Sequence, residues 1–316
     1  MKNQAFRGVL VPVLTPFTKQ LAPDTERFVS FCQWLLAQGA DGLAVFGTTS
    51  EANSMSPEER MELLDALVAA GVPSEKLMPG TGACALTDSV KLIKHAVNKG
   101  CGGVLMLPPF YYKGASDEGL FSFFSEVIQR TGSARLRMYL YHIPPVAQVP
   151  FSLNLIERLI KAYPETVVGI KDSSGDWSNT DAILKRFPGF GTFAGSEVFL
   201  LDTLKGGGAG CITATGNVNV AGIRKVYLNW QQPEAGKLQA DISRIRKTIQ
   251  AYPMVPALKR MVAHFHQDAA WQQLRPPFER LPDQQAEKLF AELTQLGFSL
   301  PRRDAVDERQ ATSKRG

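Results

Sequence analysis

Over roughly the first two thirds of the chain, apolar runs typical of strands alternate with segments whose apolar residues have helical spacing. Short apolar runs of strand length, bounded by glycine or proline, recur about every 25 to 30 residues, and helical spacing fills the intervals. This pattern predicts repeated strand–helix units and a parallel sheet. The eight predicted strands are 8–13, 42–46, 77–82, 103–107, 137–141, 167–171, 191–195 and 210–214.

Capping signals mark the helices between these strands. Ser56-Pro57-Glu58-Glu59 combines a cap serine, a proline in the first turn and acids at the positive helix end. Eight units of this length fit a closed (β/α)8 TIM barrel better than an open doubly wound sheet, and no GxGxxG follows the first strand. The helices predicted between strands are about 24–38, 56–70, 87–98, 117–130 and 152–162.

The pattern changes near residue 220, after which only helices are predicted, at 235–251, 254–266 and 283–296. We therefore predict a barrel domain over 1–219 and a C-terminal helical appendage over 220–300 that packs on it. The polar, charge-rich segment 301–316 is expected to be a disordered tail.

Composition excludes several classes of protein. Of the 316 residues, 44% are hydrophobic and 21% charged, as in an ordinary soluble protein. No apolar run approaches the roughly 18 to 20 residues of a membrane span, and no apolar signal core precedes the first strand, so we expect a cytoplasmic protein without a membrane partner. The net charge of +5 is small, several of the basic residues lie in the tail, and no basic stripe carries interleaved aromatics, so no nucleic-acid partner is expected.

Metal and redox sites are not indicated. The cysteines are widely separated without a CxxC pair, and His95, His264 and His266 lie in predicted helices without a companion at metal-ligand spacing. We expect reduced thiols, no metal and no cofactor. The four cysteines are Cys32, Cys84, Cys101 and Cys211.

One lysine ends an apolar strand. Residues 167–170 lead directly to Lys171, and the polar loop 172–176 follows. Active sites of barrels form at the carboxyl ends of the strands. An amine held among apolar neighbours favours its neutral, nucleophilic form, which can add to a ketone and form a Schiff base. The alternative is a strand-end lysine that extends into solvent.

Two other strand ends carry matching chemistry. After the second strand, Gly47, Thr48 and Thr49 offer hydroxyls and backbone amides that can hold a small carboxylate. The alternative is a purely structural glycine turn in which the threonines act as caps. Tyr141 places a phenol at the end of the fifth strand, where a buried aromatic with a backbone partner is the alternative.

Together these segments resemble the dihydrodipicolinate synthase and N-acetylneuraminate lyase family of class I aldolases over about residues 6–300. The segments keep the same order along the chain. They are GTTSE at 47–51, PPFYYK at 108–113 with EGL at 118–120, YHIP at 141–144, GIKDSSGD at 169–176, AGSE at 194–197 and GAGCIT at 208–213.

The resemblance implies roles by position. Lys171 is similar to the Schiff-base lysine and Tyr141 to the phenol that relays protons, while Thr48 and Thr49, with Gly47, match the holders of the 2-oxo acid carboxylate. Tyr112 matches a tyrosine inserted into a neighbouring subunit's site, which implies a homotetramer built as a dimer of dimers. Backbone lining the pocket is implied at Gly195 and Ile212, with Ser196 beside them.

The chain also departs from the family pattern. Synthases commonly carry an arginine at the position of Val146, where it binds the second substrate's carboxylate, and no replacement cation can be located from the sequence. Sugar-acid lyases tend to have an acidic pair where Glu197 is followed by Val198. His142 stands where relatives often have asparagine, and contacts either the substrate or a neighbouring polar group.

These observations favour a Schiff-base lyase with pyruvate as substrate or product, which cleaves a 4-hydroxy-2-oxo acid or a 2-oxo-3-deoxy sugar acid without a metal. Dihydrodipicolinate synthase proper, and a dehydratase or deaminase using the same imine, are alternatives. A non-catalytic 2-oxo acid sensor is the alternative from another class of protein.

Overall fold

The computed structural model describes residues 5–300, so the predicted disordered tail at 301–316 lies outside the described residues. Seven parallel strands form one curled sheet in the order β2-β1-β7-β6-β5-β4-β3. The strands are β1 Gly8–Val11, β2 Gly42–Leu43, β3 Val104–Met106, β4 Met138–His142, β5 Val167–Asp172, β6 Gly191–Ala194 and β7 Gly210–Ile212.

The segment predicted as a strand at 77–82 lies between β2 and β3 and closes the barrel. The Met78 amide donates to the Leu43 carbonyl at 2.9 Å, and the Leu105 amide donates to the Pro79 carbonyl at 2.9 Å. The strand therefore contributes its expected pairing on both sides, as isolated bridges rather than a continuous ladder.

Two residues set the geometry of this segment. Pro79 has no N–H to donate. The Gly80 amide donates to the Val45 carbonyl at 2.7 Å, and the backbone here is so close to the segment after β2 that a Cβ atom would lie 2.1 Å from the Phe46 carbonyl oxygen. The close approach is possible only for glycine, and the fold remains the predicted (β/α)8 barrel.

Helices surround the sheet, and those predicted between strands are present with small shifts at their ends. The short helix α5, which directly follows β4, was not predicted. Within residues 5–300, no helix combines the length and apolar character needed to cross a membrane. The helices are α1 Thr25–Ala37, α2 Pro57–Ala69, α3 Leu86–Asn98, α4 Asp117–Thr131, α5 Pro144–Ala147, α6 Leu153–Ala162, α7 Trp177–Arg186, α8 Leu200–Lys205, α9 Gly216–Leu228, α10 Ala235–Gln250, α11 Met254–Phe265 and α12 Asp283–Gln295.

The start of α2 forms the predicted cap. The Ser56 hydroxyl accepts from the Glu59 amide at 3.2 Å, and the Glu59 carboxylate accepts from the Ser56 amide at 2.9 Å. This reciprocal capping box satisfies two donors that helix geometry leaves without partners.

Two apolar cores hold the barrel together. The inner core fills the barrel, where the rings of Tyr139 and Phe193 meet edge to face at 6.0 Å between centroids. The outer core lies between the strands and the surrounding helices. A filled interior leaves the carboxyl ends of the strands as the place for a cavity.

The C-terminal helices cover one side of those strand ends. The Asn217 side chain of α9 accepts from the Leu14 amide at 3.0 Å and fixes α9 beside β1. On α10, Gln239 accepts from the Leu201 amide at 3.0 Å and donates to the Glu197 carbonyl at 2.9 Å. These bonds hold α10 against the loop after β6. Helix α9 runs across the predicted domain boundary at 219, and the division into two domains stays a prediction.

Candidate active site

A cavity of about 340 Å³ lies at the carboxyl ends of the strands and is lined by both polar and apolar side chains. Predicted site residues from four separate strand ends line it together. They are Thr48, Thr49, Tyr141, Lys171, Gly195 and Ser196.

Lys171 and Tyr141 form the centre of the cavity. They are directly opposed in the register of β5 and β4, so their side chains emerge on the same face of the sheet. The Lys171 Nζ atom lies 4.3 Å from the centroid of the Tyr141 ring, and the two residues are 4% and 3% exposed. Among residues 5–300, no carboxylate or hydrogen-bond acceptor pairs with this Nζ. The amine is thus available to a carbonyl group in the cavity.

Thr48 extends this pair into a row of three groups. Its Oγ1 atom lies 3.2 Å from the Tyr141 hydroxyl, and either oxygen can donate. Thr49 lines the same wall and is largely buried. A phenol that contacts both an amine and a second hydroxyl is suited to moving a proton between them.

Contacts of Glu51 with the C-terminal region fix the loop that carries Thr48 and Thr49. Glu51, in the left-handed region at φ 56°, ends it. The Lys259 Nζ atom lies 2.5 Å from Glu51 Oε1 in a fully buried ion pair, and the Arg275 amide donates to Glu51 Oε2 at 3.1 Å. Burial lowers the pKa of Lys259 to about 8, against the opposing effect of Glu51. The C-terminal region therefore holds the threonine loop in place.

Gly195 lines the cavity directly after β6. Its amide donates to the Asp172 carbonyl at 2.7 Å, and a Cβ atom here would lie 2.1 Å from the Ser173 Oγ atom. Asp172 in turn accepts from the Thr180 hydroxyl at 2.7 Å and from the Ser174 amide at 2.9 Å. The turn after Lys171 is thus held rigidly beside β6.

A cation enters the cavity from α10, which sequence reasoning did not locate. Arg246 Nη1 donates to the Thr213 hydroxyl at 3.1 Å and to the Glu197 carboxylate at 3.3 Å, and its Nε donates to Gln250 Oε1 at 3.2 Å. Both Arg246 and Gln250 line the cavity.

The available sequence signal for this cation was helical spacing. The polar residues Gln239, Ser243, Arg246 and Gln250 are separated by four, three and four positions, which places them on one face of α10. The sequence does not show that this face meets the loop after β6.

A known protein family matches nearly the whole chain, including the segments that line this cavity. The model of the dihydrodipicolinate synthetase family matches residues 5–296. The chain belongs to this family. Members of the dihydrodipicolinate synthetase family are Schiff-base lyases and aldolases, which agrees with the predicted class of enzyme.

Individual members of the family support this assignment. A protein of Chloroflexus aurantiacus named an uncharacterized DapA-like lyase is 33% identical over 255 residues, which cover 80% of this chain and 85% of that protein. The 4-hydroxy-tetrahydrodipicolinate synthase of Rhizobium meliloti is 28% identical over 80% of this chain and 86% of its own. The crystal structure of dihydrodipicolinate synthase from Agrobacterium tumefaciens superposes with a TM-score of 0.86 at 29% identity, covering 92% of this chain and 99% of that chain. The TIM-barrel prediction is therefore confirmed.

Some residues that the family resemblance selected lie outside the cavity wall. Ile212 is buried among the apolar residues inside the barrel, and Gly47 precedes the two threonines in their loop. Val146 lies on α5 and is 61% exposed, while Tyr112 is 74% exposed and meets Tyr111 edge to face at 5.2 Å. Their assigned roles stay predictions.

His142 points away from the cavity, on the opposite face of β4 from Tyr141. Its Nδ1 atom accepts from the Phe151 amide at 3.0 Å, which is one of the two environments considered for this residue. Burial lowers the pKa of His142, while the nearby Asp172 carboxylate acts in the opposite direction. Lowering this pKa favours the neutral imidazole, whose Nδ1 can accept.

The described residues show no metal cluster. Within 5–300, no group of three or more histidine, cysteine, aspartate or glutamate side chains is arranged to hold a metal ion. Burial raises the pKa of the Cys211 and Cys32 thiols, which keeps these thiols protonated.

Proposed function

We propose that the protein is a class I aldolase that forms a Schiff base between Lys171 and a 2-oxo acid. It cleaves a 4-hydroxy-2-oxo acid or a 2-oxo-3-deoxy sugar acid to pyruvate and an aldehyde. One arrangement carries the proposal: the buried Nζ lies 4.3 Å from the centroid of the Tyr141 ring, and the hydroxyl of that ring lies 3.2 Å from Thr48 Oγ1 in the same cavity.

The reaction begins with imine formation. Thr48 and Thr49 hold the substrate carboxylate through their hydroxyls and backbone amides, which directs the 2-oxo carbon toward Lys171. The neutral amine adds to this carbon, and the carbonyl oxygen leaves as water. The product is a protonated imine that can accept an electron pair.

Bond cleavage uses that imine as the electron sink. The C4 hydroxyl loses its proton to the Tyr141–Thr48 relay, the C3–C4 bond breaks, and its electron pair moves to C3 and the imine nitrogen as an enamine. C4 becomes the carbonyl carbon of the aldehyde. The relay returns the proton to C3, and water then hydrolyses the imine to free pyruvate and Lys171. This route needs neither a metal nor a cofactor.

Assembly completes the proposal. The family resemblance favours a cytoplasmic homotetramer built as a dimer of dimers. The two exposed tyrosines Tyr111 and Tyr112 support an intersubunit role, because adjacent aromatic side chains at 72% and 74% exposure suit a protein interface.

Synthase activity is the second candidate. Its support is the name of relatives such as the Rhizobium meliloti protein, a 4-hydroxy-tetrahydrodipicolinate synthase at 28% identity. Val146 argues against it, because valine supplies no charge at the position where synthases commonly have arginine. A dehydratase, a deaminase or a 2-oxo acid sensor would keep the same lysine.

A substrate panel with product identification tests the proposed function. It compares cleavage of 4-hydroxy-2-oxo acids and 2-oxo-3-deoxy sugar acids with condensation of pyruvate and aspartate semialdehyde, and with loss of water or ammonia. Release of pyruvate plus an aldehyde at the highest kcat/KM supports the proposal. Efficient condensation with the other substrates inert would establish the synthase instead, and no turnover of any substrate would favour a sensor.

A further inference from the structure

The cavity contains a second basic side chain besides Lys171. Of the described residues that line it, Lys171 and Arg246 are the two basic ones. The proposed carbon–carbon cleavage uses Lys171 and leaves Arg246 without a role. The Arg246 side chain is 12% exposed, so its charge lies largely out of bulk water.

A buried carboxylate orients Arg246. Glu197 is fully buried and accepts hydrogen bonds from the hydroxyls of Thr213 and Thr215 as well as from Arg246 Nη1. Two hydroxyl donors already satisfy much of this carboxylate, and its contact with the guanidinium is a long 3.3 Å. Glu197 therefore aligns the guanidinium without saturating its donors.

Two donors remain free at the cavity wall. The bonds of Arg246 use Nε and Nη1, and the described residues provide no acceptor for Nη2. Gln250 uses Oε1 to accept from Arg246 Nε, which leaves its Nε2 amide without an acceptor among residues 5–300. A guanidinium N–H beside an amide N–H is suited to binding the two oxygens of one carboxylate.

We propose that Arg246 and Gln250 bind a carboxylate at the far end of the substrate, so that the enzyme selects 2-oxo acids with a second terminal carboxylate. This inference rests on the proposed function, since the first carboxylate and the 2-oxo group are assigned to the threonines and Lys171. Arg246 on α10 would also supply the positive charge that synthases commonly have at the position of Val146, in the segment after β4.

The test compares two substrates of the same length in the full-length protein. These are 4-hydroxy-2-oxoglutarate, which ends in a carboxylate, and 4-hydroxy-2-oxovalerate, which ends in a methyl group. The variants are Arg246→Gln and Arg246→Lys. The control is Arg244→Gln, because Arg244 lies on the same helix with a 66% exposed side chain, outside the cavity wall.

The wild type is expected to prefer the dicarboxylate. Arg246→Gln should lower kcat/KM for 4-hydroxy-2-oxoglutarate about ten- to hundredfold, mainly through KM, and leave cleavage of the methyl-terminated substrate nearly unchanged. Arg246→Lys should restore part of the loss, and Arg244→Gln should behave as the wild type. An equal loss on both substrates would show that Arg246 only supports the wall, and would overturn the inference.

Borohydride trapping with pyruvate distinguishes a failure of the carboxylate-binding inference from a failure of the proposed Schiff-base function. A wild type that yields no pyruvate adduct on Lys171 contradicts both. An adduct that forms equally in wild type and Arg246→Gln shows that the Schiff-base site is intact, so the substrate ratio then decides the inference alone.

A measurement on the wild type covers the case in which the variants do not fold. The concentration of 2-oxoglutarate that protects Lys171 from pyruvate trapping should be lower than that of 2-oxovalerate by about tenfold or more. Added salt should reduce the difference between the two protective concentrations. Equal protection by the two compounds would overturn the inference.

Discussion

The Nζ atom of Lys171 lies 4.3 Å from the centroid of the Tyr141 ring, across two adjacent strands on which the two residues are register partners. The ring covers the amine from one side, and the Tyr141 hydroxyl extends beyond it to Thr48. Parallel pairing therefore fixes the distance between the nucleophile and the phenol, because neither residue lies on a mobile loop.

Tyr141→Phe distinguishes the role of the aromatic ring from that of the hydroxyl, because it keeps the ring and removes the hydroxyl. The phenylalanine ring keeps its packing on Lys171, while the proton relay to Thr48 is lost. We expect kcat for cleavage to fall by about 10²- to 10⁴-fold. Tyr163→Phe is the matched control, because that hydroxyl bonds Gln129 at 3.1 Å on the surface. Unchanged kcat in Tyr141→Phe would contradict the relay.

Much of this arrangement could be predicted from the sequence, because apolar strands that end in polar residues indicate the catalytic face of a barrel directly. Lys171 and Tyr141 each lie at the end of such a strand, Thr48 lies in the loop that follows one, and the structure brings the three to one cavity. The segment 77–82 also lies in its predicted place, but it pairs through single bridges, and Pro79 has no N–H to extend them.

The residues that escaped prediction depend on long-range packing. Arg246 lies in a helix whose contact with the loop after β6 is set by Gln239, and no local pattern identifies that partner. Helix α5 escaped for a different reason, since its four residues, which begin with two prolines, are too few for a helical period. Local periodicity predicts elements and their ends, whereas contacts between distant elements require the fold.

Lys259→Met should destabilise the protein by about 3 to 5 kcal/mol, because it leaves the Glu51 carboxylate buried without its cation. Urea denaturation measures the change. The double variant Lys259→Met with Glu51→Gln removes both charges and should recover part of the loss. If the single variant is as stable as the wild type, the ion pair does not anchor the threonine loop.

His142 should make stability fall as the pH is lowered. Burial lowers the pKa of His142 in the folded protein, so the unfolded chain binds a proton first as the pH drops through about 6.5. Stability linked to this group is therefore unaffected above that pH and decreases from about pH 6.5 toward the lower pKa of the folded state. His142→Asn, which can still accept from Phe151, should flatten the dependence of the urea midpoint between pH 7 and 5.

The internal control is the difference in urea midpoint between His142→Asn and the wild type above pH 7. This difference should stay constant there, because His142 is neutral in both the folded and the unfolded chain. A wild-type slope in His142→Asn would show that other groups cause the loss of stability in acid.

Tyr112→Phe should reduce turnover while the oligomer persists, if the Tyr112 hydroxyl completes a neighbouring subunit's site. Tyr111→Phe is the matched control, since the two tyrosines are adjacent and equally exposed, at 72% for Tyr111 and 74% for Tyr112. Steady-state kinetics and sedimentation velocity measure the two properties. A fully active monomer would rule out the intersubunit role.

The most direct test of the Schiff-base mechanism is reduction with borohydride in the presence of pyruvate, followed by peptide mass mapping. We expect one reduced pyruvate adduct on Lys171 in the wild type, and neither adduct nor turnover in Lys171→Ala. An adduct on another lysine, or turnover that survives in Lys171→Ala, would contradict this mechanism.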